Sequence, residues 1–188
     1  MSTIPTLETG RLILRPFALS DAADVQRLAG DRAIADTTAT VPHPYEDGMA
    51  EAWISTHGKD FAAGTSLTLA VALKPESALV GAIGLAKIAA GHQAEMGYWI
   101  GKPYWNQGFC TEAAAALLRH AFLTLGLARV YATHLARNPA SGRVMRKVGM
   151  RHEGTLRKHL RKWDVLEDVE CYGILREEWK GSGGNAGS

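Results

Sequence analysis

The sequence has only two cysteines, Cys110 and Cys171, and they stand alone and far apart. That is neither zinc spacing nor a disulfide framework, so neither staple is expected to hold the fold. No run approaches the apolar length of a membrane span. The opening MSTIPTLETGRLILRPF lacks a basic-then-apolar leader and carries Glu8 early, so export is not expected and the cytoplasm is the expected compartment. A charge excess is missing too: 21 basic residues against 19 acidic leave +2, too little to make nucleic acid or an anionic membrane the main partner. The seven histidines show no ligand spacing, so no metal is expected, and they read as scattered surface or cleft residues. Gly-x-x-x-x-Gly-Lys-Ser/Thr and a strand followed by Gly-x-Gly-x-x-Gly are both absent, which removes the nucleotide P-loop and the dinucleotide fold.

What remains is 188 residues, 46% apolar and 21% charged, the size and balance of one globular domain. One domain is expected over 1–180, with a flexible Gly/Ser-rich tail at 181–188. Arg11–Pro16 reads as a first strand. Ser20 offers an N-cap to a helix that stops near Gly30. Asp31–Pro44 reads as irregular, and a second helix runs from Glu46 to Ala63. Ser66–Leu73 and Leu79–Leu85 form strands of a hairpin around the turn Lys74–Ala78, and Ala94–Ile100 is the fourth strand. Thr111–Leu125 carries Ala114, Leu117, Leu118, Ala121, Phe122 and Leu125 on one helical face. Arg129–Leu135 is strand again, Asn138 and Pro139 open a short helix, and Met150–Leu175 holds two strands around a basic turn. The order predicts a mixed α/β domain, with antiparallel hairpins early and a strand–helix–strand–helix unit late.

The informative segment is Tyr98–Ala115, where a strand, a turn with Gly108 and a long helix follow one another. A helix start leaves four backbone N–H groups unpaired and carries a partial positive charge. A glycine there lets the backbone approach a ligand, so the turn Trp105–Thr111 can wrap a pyrophosphate. For an isolated glycine a plain turn would be the better reading; the order of elements favours the anion cradle. A second clue lies at Asn138–Ser141. Ser141 shares a helix face with Val144, Met145 and Val148, which aims its hydroxyl inward. Taken alone, Asn138 and Ser141 read as a cap and a backbone-bonded hydroxyl.

Together these segments resemble the GNAT acetyltransferase superfamily, and within it the branch of ribosomal-protein N-terminal acetyltransferases. The resemblance rests on LETGRLILRPFALSDAADV, AEMGYWIGKPYWNQGFCTEA, NPASGRVMRKVGMRHEGTLR and DVECYGILREEW, in order along almost the whole chain. It implies a twisted mixed sheet of about seven strands and about four helices, splayed between the fourth and fifth strands. It implies acetyl-CoA as co-substrate, a dimer, and transfer to a primary amine: a protein N-terminus, an amino acid or a small amine. In that likeness Trp105 and Asn106 lead into the amides of Gln107, Gly108, Phe109, Cys110 and Thr111, which hold the pyrophosphate. The pantetheine arm bonds main chain near Trp99 and Ile100, Asn138 contacts the cofactor, and Ser141 lies near the thioester sulfur. Cys110 fills a slot usually held by glycine or alanine and takes no redox or nucleophilic role. Related enzymes have been read as using a glutamate after the last helix as base; here that stretch is Arg157–Lys162, without a carboxylate.

Acyl transfer needs a neutral amine, a polarised carbonyl and a protonated leaving thiolate. Glu95 is the candidate base, acting through water, and reads equally as an edge carboxylate paired with a lysine or arginine. Ser141 is the candidate acid, with Tyr98 and Tyr104 behind it. Thr37–Tyr45, with the helix carrying Trp53, is the candidate substrate lip, lined by His43 and Tyr45; HPY reads equally as a plain loop. The cluster Arg157, Lys158, Arg161 and Lys162 could receive an acidic partner, but a solvated turn is preferred. The competing class is a catalytically silent acyl-CoA-binding sensor or scaffold.

Overall fold

The computed structural model describes residues 3–181; of the expected tail, all but Gly181 lies outside the described residues. Eight strands form one open sheet in the order β1-β2-β3-β4-β5-β6-β8-β7. The strands are β1 (Leu7–Glu8), β2 (Leu12–Arg15), β3 (Leu67–Leu73), β4 (Leu79–Ala89), β5 (Gln93–Ile100), β6 (Arg129–Leu135), β7 (Arg151–Lys162) and β8 (Val165–Leu175). Neighbours are antiparallel except β5 and β6, which are joined in parallel through a crossover helix. The strand beyond the expected seven is β1, two residues that pair with Leu14 and Ile13 and are too short to show a period. The fourth and fifth strands of the sequence are therefore β5 and β6.

The helices are α1 (Ala22–Ala29), α2 (Arg32–Thr37), α3 (Met49–Ala62), α4 (Phe109–Leu123) and α5 (Pro139–Lys147). Two expectations fail here. The irregular span contains α2, started by the Asp31 carboxylate accepting from the Ala33 amide at 2.8 Å and anchored by buried Ile34 and Ala35. Ser20 caps nothing. Asp21 stands at the N-cap position instead, but its carboxylate turns back from the helix to accept from the Ala18 amide at 2.8 Å while the Arg15 guanidinium pairs with both its oxygens.

Side chains of successive strand residues face opposite ways, so each central strand serves two layers. On one face Leu69, Val71, Ile83 and Met96 pack with α4 residues Ala114, Leu117, Leu118 and Phe122, and with Met145 of α5. On the other, Val25 and Leu28 of α1 and Ala50 and Ile54 of α3 pack over Ala70 and Leu79. This second layer reaches only β3, β4 and β5, and beyond it Tyr131 and Cys171 are half-buried and Thr133 is exposed. Two histidines are core residues rather than surface ones. His57 is wedged between Phe17 and Trp53, where burial pushes its imidazole below the usual range and keeps it neutral. His134 is buried beneath α5, its Nδ1–H donating to the Leu135 carbonyl at 2.8 Å. Among the described residues no helix is long and apolar enough to cross a membrane.

Candidate active site

The parallel pairing of β5 and β6 covers only Gln93–Arg129, Ala94–Val130 and Glu95–Tyr131. From Met96 to Ile100 and from Ala132 to Leu135 the strands part, leaving a gap that opens toward their C-terminal ends. Gly101 donates to the Val80 carbonyl at 2.8 Å on the β4 side. Alternation then turns the main chain of Trp99 toward β4 and that of Tyr98 and Ile100 into the gap. Of the two expected pantetheine positions, only Ile100 offers its backbone there. Its carbonyl already accepts from the Trp105 indole at 2.5 Å, which folds the turn back over the strand end.

At that strand end Asn106 and Gly108 both take left-handed conformations, with φ of 60° and 81°. Gly108 is the N-cap of α4, so the helix begins at Phe109, two residues earlier than expected. The first backbone bond of the helix runs from Glu112 N–H to the Gly108 carbonyl at 3.0 Å. The amides before it converge on the space ahead of the helix, as the geometry of a helix start requires. What holds this turn comes from far away in the chain and leaves no local sequence signal. The Arg11 guanidinium donates to the Gln107 carbonyl at 3.0 Å and to Glu112 Oε2 at 2.7 Å, and lies over the Phe109 ring. Glu112 Oε1 also accepts from the Thr9 hydroxyl at 2.6 Å and the Arg11 amide at 2.8 Å.

Inside the gap Tyr98, from β5, meets Ser141, from the first turn of α5. The phenol lies 3.0 Å from Ser141 Oγ and donates to the Ser141 carbonyl at 3.2 Å. Burial, with Cys110 close by, pushes the phenol well above its ordinary value, so it stays protonated in the range where amines become neutral. Burial likewise holds the Cys110 thiol up, to about 12, which makes it an inert wall. Asn138 caps α5, accepting from the Ser141 amide at 3.3 Å, and its amide donates to the Thr37 carbonyl at 3.0 Å.

Glu95 sits at the closed end of the gap, on the sheet face opposite Tyr98. Its carboxylate pairs with Lys87 Nζ at 2.7 Å and accepts from the Thr133 hydroxyl at 3.3 Å, with 22% of the side chain exposed. The ion pair foreseen for an edge carboxylate is therefore present, made with a lysine that is itself mostly exposed. Of the lip residues, His43 is exposed on the loop between α2 and α3, and Tyr45 is half-buried. Trp53 packs edge-on to Phe17 at 5.1 Å, in the layer of α1 and α3 beneath the lip. The basic run is not a turn: Arg157–Lys162 belongs to β7, and the chain reverses at Trp163 and Asp164. Lys162 is buried, because its ammonium reaches back to the lip. Among the described residues no cluster of His, Cys, Asp and Glu is suited to a metal ion.

A twisted mixed sheet that splays at its parallel pair, with an amide-lined turn at the splay, is the architecture of an acetyl-transferring enzyme. Residues 11–151 match the model of the acetyltransferase (GNAT) domain, and the chain belongs to that family. It is an acetyl-CoA-dependent N-acetyltransferase. It is 33% identical to the uncharacterized N-acetyltransferase YnaD of Bacillus subtilis (strain 168) over 92% of this chain and 98% of that one. Among solved structures, a GNAT-family acetyltransferase from Bacillus anthracis superposes with a TM-score of 0.80 at 30% identity, covering 93% of this chain and all of the other. Mycobacterium smegmatis RimJ, solved in complex with CoA-disulfide, superposes with a TM-score of 0.82 at 25% identity over 93% of this chain and 89% of its own.

Proposed function

We propose that residues 1–180 act as one domain that transfers the acetyl group of acetyl-CoA directly to a primary amine on a small molecule or peptide. The observation that carries this reading is the juxtaposition of the Tyr98–Ser141 pair with the open end of the β5–β6 gap. The residues fit the cofactor: unpaired amides from Gln107 to Thr111, a left-handed Gly108 and an Arg11 prop suit a pyrophosphate. Gap-facing main chain at Tyr98 and Ile100 suits an amide-bearing arm. Acetyl-CoA supplies a thioester whose sulfur leaves as a thiolate.

The chain's own groups supply the protons and the orientation. Ser141 Oγ, 3.0 Å from the half-buried Tyr98 phenol, hands a proton to the leaving sulfur on one face of the gap and is reprotonated through that phenol. Glu95 accepts one on the other face through water, after the exposed Lys87 swings away. Asn138 fixes the first turn of α5, and with it the Ser141 hydroxyl. The lip from Thr37 to Tyr45 faces the acceptor, because Asn138 ties Thr37 beside Ser141.

The test is thiol release from acetyl-CoA with a panel of peptides, amino acids and polyamines. Amine-dependent release that falls in Ser141→Ala supports the enzyme. Binding of acetyl-CoA without release for any amine supports a silent acyl-CoA-binding domain instead.

A further inference from the structure

Lys162, the last residue of β7, is only 6% exposed, and no carboxylate pairs with it among the described residues. Burying an ammonium is costly unless its protons find acceptors. Here its Nζ donates to the Val41 carbonyl at 2.9 Å and lies 3.5 Å from the Ala39 carbonyl. Both acceptors are main-chain atoms of the loop between α2 and α3, more than a hundred residues away in sequence. The ammonium also lies over the Trp163 ring, whose other neighbour is the Arg32 guanidinium of α2.

This contact is one of three that bracket the same loop. Asn138 holds its start at the Thr37 carbonyl. Arg137 pairs with Asp36 at 3.0 Å and with Glu167 of β8 at 2.7 Å, tying the end of α2 to the β7–β8 hairpin. Of the three, only Lys162 reaches past the end of α2 into the loop itself, and it does so by bonding loop main chain. It therefore fixes where the loop lies whatever side chains the loop carries, and His43 follows two residues after Val41.

We propose that Lys162 is a positioning residue for the acceptor: by holding the Ala39 and Val41 carbonyls it sets the wall of the acceptor site at the open end of the gap. The proposal rests on the reading that this loop faces the acceptor. Its effect falls on acceptor recognition, since the cofactor turn is held separately by Arg11 and Glu112.

The test compares Lys162→Met with wild type by hydrogen exchange and by steady-state kinetics. The acceptor is whichever of an alanyl tetrapeptide, methionine and spermidine is acetylated fastest. Exchange at residues 38–45 should quicken by about tenfold while that at 96–111 is unchanged. The KM for the acceptor should rise by about fivefold or more, and that for acetyl-CoA should stay within about twofold. Should the methionine variant fail to fold, Lys162→Gln, which keeps an amide donor, is read in its place. Unchanged exchange at 38–45 overturns the proposal. So does an unchanged acceptor KM when His43→Ala raises it, and in that case the loop still faces the acceptor. If neither substitution moves the acceptor KM, the loop is not the acceptor wall, and both readings fall.

Discussion

Replacing Glu112 by glutamine tests the brace behind the cofactor turn. The carboxylate accepts from the Thr9 hydroxyl and the Arg11 amide through one oxygen and from the Arg11 guanidinium through the other. The glutamine keeps one acceptor and sets a donor against the guanidinium, so charge-assisted bonds are lost. Such bonds are worth roughly 1.5–3 kcal/mol each when buried, and the half-exposed guanidinium reduces the sum to about 2 kcal/mol. For a chain of this length that lowers Tm by about 4–8 °C. The Gln107 carbonyl loses its well-placed donor at the same time, so the Kd for acetyl-CoA should rise by roughly threefold to tenfold. The pH dependence has a definite sign. Burial raises the Glu112 carboxyl, but the bonds from Thr9 and Arg11 outweigh it and hold the carboxyl below its ordinary value. A carboxyl lowered by folding contributes its full stability above the unfolded value, about 4.3, and loses it as pH falls through the folded value. Urea unfolding should therefore show the gap between wild type and Glu112→Gln at neutral pH and show it closing in acid. A gap that is absent at neutral pH, or that widens in acid, rules out Glu112 as the ionised brace of the turn.

Gly108→Ala places a side chain at a φ of 81° and 3.4 Å from Arg11 Nη2. The strain of about 1–2 kcal/mol should weaken acetyl-CoA binding by roughly tenfold in calorimetry, and an unchanged Kd contradicts the assignment of the turn. Ser141→Ala should lower kcat by roughly tenfold to a hundredfold with little change in the acetyl-CoA KM, read by thiol release. Gly142→Ala sets a methyl 2.7 Å from His134 Nε2, a buried ring nitrogen stacked against Tyr172 with nowhere to retreat. The cost should be about 1–3 kcal/mol in urea unfolding, and smaller when His134 is alanine too; an equal loss in both backgrounds removes the clash as the cause.

Features built from neighbouring residues show in the sequence, and those built from distant pairs do not. The turn at Gly108 and the face of α4 are local patterns; the turn falls where the sequence puts it, and the helix runs two residues earlier at both ends, so Leu125 lies past it. Helix α2 has six residues, too few to show two turns of a period, and its start depends on one carboxylate at Asp31. Ser20 and Asp21 are both good cap residues, and it is Asp21, paired with Arg15, that stands at the N-cap position. Arg11 shows in the sequence only as the start of a strand and Lys162 only as part of a basic run, because their partners lie 96 and 121 residues away and are chosen by topology. Alternation along β5 was readable, but which side of Trp99 faces the gap depends on the pairing with β4. The role of Glu95 was balanced between base and ion pair, and the Lys87 contact shows the second without removing the first.

The most direct test is amine-dependent release of coenzyme A from acetyl-CoA, followed side by side in wild type and Ser141→Ala. Release is expected with at least one primary amine in the wild type, with a fall of roughly tenfold or more in the variant. Equal turnover in the two proteins contradicts it, as does release that proceeds at the same rate without any amine.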